Sequence, residues 1–472
     1  MADNQSDLVI LGGGSGGYAA ALRAAELGKS VVLIERDKVG GTCLHRGCIP
    51  TKALLHAGEI ADQARESSQF GVNATFEGID MAGVHKYKDG VVGKNYKGLV
   101  GLVKSRGIEI VEGSGRLVGP KTVAVNNGGA PAGEGVAGAV DTYTGATVIL
   151  ATGSYSRSLP GLDIDGQRVI ASEHALQLDH VPASAVVLGG GVIGVEFASV
   201  WKSFGADVTI VEALPHLVPL EDEANSKLLE RAFRRRGINY KLGARFQSVE
   251  HTDSGVRVQL EGGESIEAEL LLVAVGRGPT SADLGYEENG ITLDRGFVVV
   301  DEYCRTSVEG VYAVGDLIPT LQLAHVGFAE GILVAEHIAG LPVVPIDYAG
   351  VPRITYSAPE VASVGYTEAQ AAEKFGADAI RTVTYDLSGN GRSAILNAKG
   401  AVKLVAEKDG PVLGVHIVGE RVGELIAEAQ LIYNWEALPS EVAQLIHPHP
   451  TQSEAIGEAH LLLAGKPLHV HD

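Results

Sequence analysis

The stretch LVILGGGSGGYAAALRAAELGKSVVLIE, residues 8–35, decides the fold. An apolar run of strand length leads into Gly12, Gly14 and Gly17. An alanine-rich helical stretch runs to Gly28, and a second apolar run, VVLIE, ends on Glu35. The first glycine suits a tight strand-to-helix turn. The second lets a pyrophosphate approach the backbone, and the third lets helix and strand pack closely. A pyrophosphate there would rest on the helix N-terminus, and Glu35 would accept hydrogen bonds from ribose hydroxyls. A tight βα turn with no ligand is the plainer reading. It weakens when the pattern recurs as AVVLGGGVIGVEFASVWKSFGADVTIVE, residues 185–212. Here the glycines are Gly189, Gly191 and Gly194, the helix stops at Gly205 and the strand ends at Glu212. In both copies the helix-ending glycine lies 16 residues, and the glutamate 23 residues, after the first glycine.

Five residues after Glu35 comes GGTCLHRGCIPTK, residues 40–52. A regular helix would hold the Cα atoms of Cys43 and Cys48 about 7.5 Å apart along its axis. A disulfide needs roughly 4.4–6.8 Å. Gly40, Gly41 and Gly47 would allow the distortion that closes the pair. A bond that opens and closes beside a nucleotide is a redox device, so a Cys43–Cys48 disulfide is expected in the oxidised protein. A metal site on Cys43, His45 and Cys48 lacks a fourth ligand nearby and the usual zinc spacing.

The rest of the chain frames these motifs. At 472 residues it exceeds one core, so several domains are expected. A net charge of −20 argues against nucleic acid and anionic membranes as partners. The one basic run, Arg234–Arg236, fits a helix C-terminus before Gly237. With three cysteines, only two of them close, this is not a disulfide scaffold. No signal peptide or membrane-spanning run is visible, and a cytoplasmic setting is expected. TVILATGS (147–154) ends a buried-type strand at Thr152, Gly153 and Ser154. LLVAVGRGP passes through Gly276, and TSVEGVYAVGD ends at Gly315 and Asp316. An acid at such a strand end can hold a sugar-alcohol chain; capping the next helix is the alternative.

The expected fold is α/β, with two Rossmann-like dinucleotide-binding domains and a C-terminal α+β dimerisation domain. Residues 1–150 and 280–348 would form the first nucleotide domain. Residues 151–279 would form the second, with strands near 246–250, 255–260 and 269–275. Residues 349–472 change to alternating strands such as GAVKLVAE and VLGVHIVG, then helices, and would pack against a second copy. NNGGAPAGEGVAGAV (126–140) reads as a mobile loop. Near the end, HPHPTQSE sets His447, His449 and Glu454 close together, stiffened by two prolines. A histidine backed by a carboxylate is a general base, and a dithiol substrate needs one; alone, the segment would read as a surface loop. Glu212 would repel a 2′-phosphate, and EALPHLVPL (212–220) contains no arginine to receive one, so NAD is expected over NADP.

GGGSGGY, GGTCLHRGCIPTKALLH, ATGS, GGGVIGVE, AVGRGP, GVYAVGD, QLAH and HPHPTQSE occur in the order seen in the pyridine nucleotide–disulfide oxidoreductase family. Over essentially its full length the chain resembles that family's dihydrolipoamide dehydrogenases. The resemblance implies that Gly12, Gly14, Gly17 and Glu35 hold the adenosine half of FAD. Lys52 would lie near the flavin and pair with Glu196. Gly115, Asp316 and Gln322, Leu323, Ala324 and His325 would contact FAD as well, with Thr152, Gly153 and Ser154. Gly189, Gly191, Gly194, Glu212 and Gly276 would hold NAD. His449, supported by Glu454, would act as base on the disulfide of the other subunit of a homodimer. Cys43 would exchange with dihydrolipoamide on lipoyl domains of 2-oxo acid dehydrogenase complexes, and Cys48 would face the flavin. Cys304 reads as a lone structural thiol. The other readings are a reductase of a glutathione- or mycothiol-like disulfide, and a nucleotide-binding scaffold with idle cysteines. The scaffold has no use for the histidine–glutamate pair.

Overall fold

The computed structural model describes residues 3–126 and 140–470, so residues 127–139 of the expected mobile loop lie outside the described residues. The described chain divides into two compact units. One comprises residues 1–53, 85–157 and 277–348; the other comprises 54–84, 158–276 and 349–472. Residues 54–84, expected with the first nucleotide domain, sort with the second unit.

The first unit begins as the glycine pattern predicts. Strand β1 (Asp3–Leu11) feeds helix α1 (Ser15–Glu26), and β2 (Val31–Glu35) returns alongside β1 in parallel, Leu8 opposite Val31. Helices α2 (Gly41–Arg46), α3 (Cys48–Glu66) and α4 (Met81–Ser105) follow, although only the first six residues of α3 and the part of α4 from His85 belong to this unit. Strands β3 (Glu109–Glu112), β4 (Ser114–Gly119), β5 (Thr122–Asn126) and β6 (Val140–Leu150) complete most of the sheet. Its order is β3-β2-β1-β6-β5-β4, and Val311–Ala313 adds in parallel to β6. Leu8, Val9 and Ile10 are fully buried, each worth about 1.5–3 kcal/mol relative to exposure. Helix α1 packs on the helix Ala324–Ile338. A Cβ at Gly331 would come 2.4 Å from the Gly16 carbonyl oxygen, so glycine on this face sets how closely the helices approach.

The second unit contains a five-stranded parallel sheet. Its order is Asn239–Lys241, Asp207–Val211, Ser184–Leu188, Leu270–Val273, Val169–Ile170. Ser184–Leu188, the helix Val192–Phe204 and Asp207–Val211 repeat the β1–α1–β2 arrangement. The expected strands near 246–250 and 255–260 are Phe246–His251 and Val256–Leu260, joined by Ser265–Ala268 in an antiparallel sheet. The basic run Arg234–Arg236 ends the helix Glu223–Arg236, with Gly237 left-handed at its C-cap. From residue 349 the unit forms a five-stranded antiparallel sheet. The helices Val422–Asn434 and Glu454–Leu463 pack on it.

Candidate active site

The glycine turn after β1 is built by contact with its own neighbours. A Cβ at Gly17 would stand 1.8 Å from the Gly12 carbonyl oxygen, and one at Gly12 would stand 2.2 Å from the Ala151 carbonyl oxygen. Gly14 differs, because a Cβ there would meet nothing nearer than Gly41 Cα at 3.9 Å. Glu35 closes the turn from β2: Oε2 accepts from the Gly13 N–H at 2.7 Å and Oε1 from the Asp37 N–H at 2.9 Å. Each carboxylate oxygen keeps a lone pair for a further donor such as a ribose hydroxyl.

The cysteines are fastened to this turn. The Gly40 N–H donates to the Gly13 carbonyl at 2.8 Å. A Cβ at Gly41 would lie 2.6 Å from Gly14 Cα, so only glycine allows the approach. The helix breaks between the cysteines: α2 ends at Arg46, Gly47 takes φ −144° and ψ −110°, and α3 starts at Cys48. The glycines thus provide the expected distortion. The two cysteines are not disulfide-bonded here; Cys43 is hydrogen-bonded to Cys48. That bond first, then burial and the charge of Cys48, push the Cys43 thiol far above its usual range, while Lys52 pulls the other way. The proton therefore stays on Cys43. Cys48 opens the 19-residue α3, where the helix dipole favours a thiolate. Tyr18 of α1 feels both sulfurs; burial first, then the two cysteines, push its phenol up to about 12.

The strand ends 152–154 and 315–316 meet. Ser154 Oγ donates to Asp316 Oδ2 at 2.5 Å, and Arg277 Nε donates to Ser154 Oγ at 2.7 Å. Thr152 Oγ1 donates to the Thr280 carbonyl at 2.6 Å, and Gly153 is left-handed with open space at its Cβ. Asp316 lies inside a short turn whose cap is Val314, so the helix-cap reading fails. Beneath this turn Glu330 accepts from the Gly315 N–H, Thr320 and Tyr348, and burial pushes its carboxyl up to about 7. Gln322 Nε2 is buried with no hydrogen-bond partner. Leu323 and Ala324 open the following helix, where His325 is exposed. Gly115 is buried in β4, and its Cβ would meet Leu11 Cδ1 at 2.5 Å, so packing explains the glycine.

The second turn repeats the packing of the first and third glycines and the hydrogen bonds of the glutamate. A Cβ at Gly194 would stand 1.9 Å from the Gly189 carbonyl oxygen, whereas Gly191 and Gly276 face open space. Glu212 accepts from the Gly190 N–H at 2.6 Å and from the Leu214 N–H at 2.7 Å. Glu196, on the helix after this turn, is buried and accepts from the Tyr356 N–H at 2.9 Å. The open faces at Gly14, Gly153, Gly191 and Gly276, the spare lone pairs of Glu35 and Glu212, and the unpartnered Gln322 amide fit two dinucleotides.

In the second unit His449 Nδ1 lies 2.8 Å from Glu454 Oε1, while Glu454 Oε2 accepts from the Thr451 N–H at 2.7 Å. With Nδ1–H donated to the carboxylate, the Nε2 lone pair is the basic site, and the side chain is 76% exposed.

Residues 6–331 match the pyridine nucleotide-disulphide oxidoreductase profile, and residues 351–460 match the dimerisation domain of the same family. The chain belongs to the pyridine nucleotide–disulphide oxidoreductase family. It is 42% identical to the dihydrolipoyl dehydrogenase of Bacillus subtilis, over 98% of this chain and 99% of that one. It is 39% identical to the mitochondrial dihydrolipoyl dehydrogenase of Pisum sativum, over 99% and 93%. LpdA from Mycobacterium tuberculosis superposes with a TM-score of 0.88 at 29% identity, covering 98% of this chain and 99% of that one. Members of this family use FAD and a nicotinamide nucleotide. Among the described residues no helix is long and apolar enough to cross a membrane, and no cluster suited to a metal ion is present.

Sequence reasoning missed Tyr18, Arg277 and Glu330. Glu330 left one trace: an acid inside the otherwise apolar helix AHVGFAEGILVAEHI.

Proposed function

We propose that this protein oxidises dihydrolipoyl groups carried by a partner protein's lipoyl domain and reduces NAD, working as a homodimer. The observation that carries the reading is the Cys43–Cys48 pair, set at a helix break and fastened through Gly40 and Gly41 to the first glycine turn. Gly12, Gly14, Gly17, Glu35, Ser154, Asp316 and Gln322 would hold FAD, and Gly189, Gly191, Gly194 and Glu212 would hold NAD. Bound FAD and NAD supply the two-electron path from dithiol to hydride carrier.

The chain's own residues do the rest. In the oxidised form Cys43 and Cys48 share a disulfide. His449 of the partner subunit takes the proton of one substrate thiol through Nε2, with Glu454 of the partner subunit holding its Nδ1–H. The thiolate attacks Cys43 Sγ, forming a mixed disulfide and releasing Cys48 as thiolate at the start of α3. The sulfur of the second substrate thiol attacks the substrate sulfur of the mixed disulfide, the bond to Cys43 Sγ breaks and lipoyl disulfide leaves; the proton of the second thiol goes to Cys43, and the first stays on His449 of the partner subunit. A half-buried Cys43, hydrogen-bonded to Cys48, as proton carrier and Cys48 at a helix N-terminus suit that division of roles.

His449→Gln should lower dihydrolipoamide turnover by about 10²–10⁴-fold, the usual worth of a positioned base. NADH oxidation by an artificial acceptor should survive, because it bypasses thiol exchange. Mixed dimers of Cys43→Ser and His449→Gln subunits should regain one working site. Unchanged turnover in His449→Gln, or higher turnover with a glutathione-like disulfide than with lipoamide, would overturn the reading.

A further inference from the structure

The segment after Glu212 is fastened at both ends. At its near end the Leu214 N–H donates to Glu212 Oε1 at 2.7 Å. Further on, the Val218 N–H donates to the Gly190 carbonyl at 2.8 Å. Leu217 fills the space beside Gly190, where a Cβ would stand 2.7 Å from Leu217 Cδ2. At the far end is buried Asp222, the N-cap of the helix Glu223–Arg236. The Glu221 N–H and Ser226 Oγ both donate to the Val218 carbonyl, at 2.9 and 3.3 Å. The residue docked on Gly190 is thus tied to the turn that carries Asp222.

What holds Asp222 comes largely from residues 349–472. Its Oδ1 accepts from the Ala224 N–H at 3.0 Å and from Lys403 Nζ at 2.8 Å, and its Oδ2 accepts from the Glu368 N–H at 3.0 Å. One carboxylate therefore takes an N–H from the first turn of two helices, Glu223–Arg236 and Glu368–Phe375, and both helix dipoles favour its charge. Lys403, on the strand Ala401–Glu407, is buried and also donates to Glu368 Oε2 at 2.6 Å. Beside this cluster lie Glu221, with Arg353 Nε 3.9 Å from its Oε1, and exposed Glu223, paired with Lys227. Burial pushes nearby His416 down to about 4, so it is neutral near pH 7. Lys403 is the cation in hydrogen-bond contact with Asp222.

We propose that Lys403 is a positioning residue for the nicotinamide nucleotide: through Asp222 it holds the turn 217–221 against Gly190, so that the second glycine turn is ordered before NAD arrives. The proposal rests on the reading that Gly189, Gly191 and Gly194 hold NAD. Lys403 acts through Asp222 and the turn, with no contact to the nucleotide. Without its cation Asp222 is a buried charge lacking a counter-ion, a state costly enough to drive the carboxylate toward water or a proton. The turn loosens with it, and NAD must then order the turn as it binds. Apparent affinity falls with the fraction of molecules in which the turn is docked.

The test is made on the oxidised, FAD-loaded holoenzyme. Lys403→Met keeps the buried stem and removes the charge. NAD affinity by calorimetry, and KM for NAD in turnover, should weaken by about threefold to tenfold, the docked fraction falling to roughly a third to a tenth. FAD content, KM for dihydrolipoamide and kcat at saturating NAD should stay put. Hydrogen exchange without NAD should quicken across residues 213–222. Asp222→Asn should weaken NAD alike, and it carries the test if Lys403→Met does not accumulate folded. The double variant should be no worse than the weaker-binding single one, because both act through one bond. A purely structural prop would lower the melting temperature and leave NAD affinity and KM where they are, which overturns the proposal. Unchanged exchange over 213–222 overturns it as well. Gly191→Ala separates the two readings. If it weakens NAD while Lys403→Met does not, the proposal alone falls. If Gly191→Ala binds NAD like the parent, the nucleotide assignment falls and the proposal with it.

Discussion

The two glycine turns share one design and part company just beyond their glutamates. In both, the first glycine packs against the end of a neighbouring strand and the third against the first, the middle glycine faces open space or glycine, and the glutamate ties down two backbone N–H groups. In both, the chain comes back to donate to the carbonyl of the residue after the first glycine, at 2.8 Å: Gly40 to Gly13 and Val218 to Gly190. What comes back differs. After Glu35 it is Gly40 and Gly41, leading into the two cysteines. After Glu212 it is the apolar turn around Leu217, fully buried against Gly190. The glycine turn is thus a common part, and under the proposed function the chemistry lies in the segment docked on it. A side chain in place of Gly41 would clash with Gly14 Cα, whereas Gly191 has no such neighbour.

The largest effect should come from the glycines that pack. Gly17→Ala and Gly194→Ala each place a methyl within 2 Å of a carbonyl oxygen fixed by the turn, at 1.8 and 1.9 Å. Neither turn can give way without moving a strand end, so each variant should lose its own sheet's cooperative unfolding or fail to accumulate folded. Limited proteolysis with fragment mapping should place the damage in residues 1–53 for Gly17→Ala and 158–276 for Gly194→Ala. Wild-type melting in either variant would show that the turns are looser than their contacts imply.

Gly14→Ala and Gly191→Ala separate packing from binding. Neither Cβ meets a protein atom nearer than 3.9 Å, so both variants should fold. The methyl would occupy the path of a pyrophosphate. We expect a loss of roughly tenfold to a hundredfold in affinity, of FAD for Gly14→Ala and of NAD for Gly191→Ala, about 1.4–2.7 kcal/mol. Flavin retention on dilution and NADH titration read the two separately. Equal loss of both nucleotides in either variant would break the assignment of one nucleotide to each turn.

These contacts also show what a sequence displays and what it hides. Glycine spacing and apolar runs are local, and they carried both turns, the parallel strands after them and the helix break at Gly47. The cysteine pair was legible because only five peptide bonds separate Cys43 from Cys48, which confines them to one neighbourhood. Pairings across long separations were not. Glu428 stands 19 residues before His447, on the helix Val422–Asn434, while His447 lies in a loop, and Arg277 reaches Ser154 from 123 residues away. Nothing in local composition marks such a partner. Asp316 shows the intermediate case: strand-end position made it a candidate, and the structure removes the helix-cap alternative, because the cap of its turn is Val314.

The smallest effect, and the finest test of the comparison, lies in the two glutamates. Each carboxylate accepts one backbone N–H on each oxygen. An amide has a single acceptor oxygen, so glutamine leaves one of the two N–H groups facing an NH2 donor. At buried Glu212 the unmet donor should cost about 1–3 kcal/mol; at half-buried Glu35, where water can reach, the cost should be lower. Glu212→Gln also removes the charge that repels a 2′-phosphate. Residues 213–220 supply no arginine or lysine to attract one, so NADP gains little. We expect the ratio of kcat/KM for NAD over NADP to fall by about threefold to tenfold, chiefly through weaker NAD binding. Adding an arginine at Leu214 should then raise NADP turnover without restoring NAD. Glu35→Gln should leave both nicotinamide constants unchanged and weaken FAD alone. If Glu35→Gln moved the nicotinamide preference and Glu212→Gln did not, the two cradles would have to exchange nucleotides.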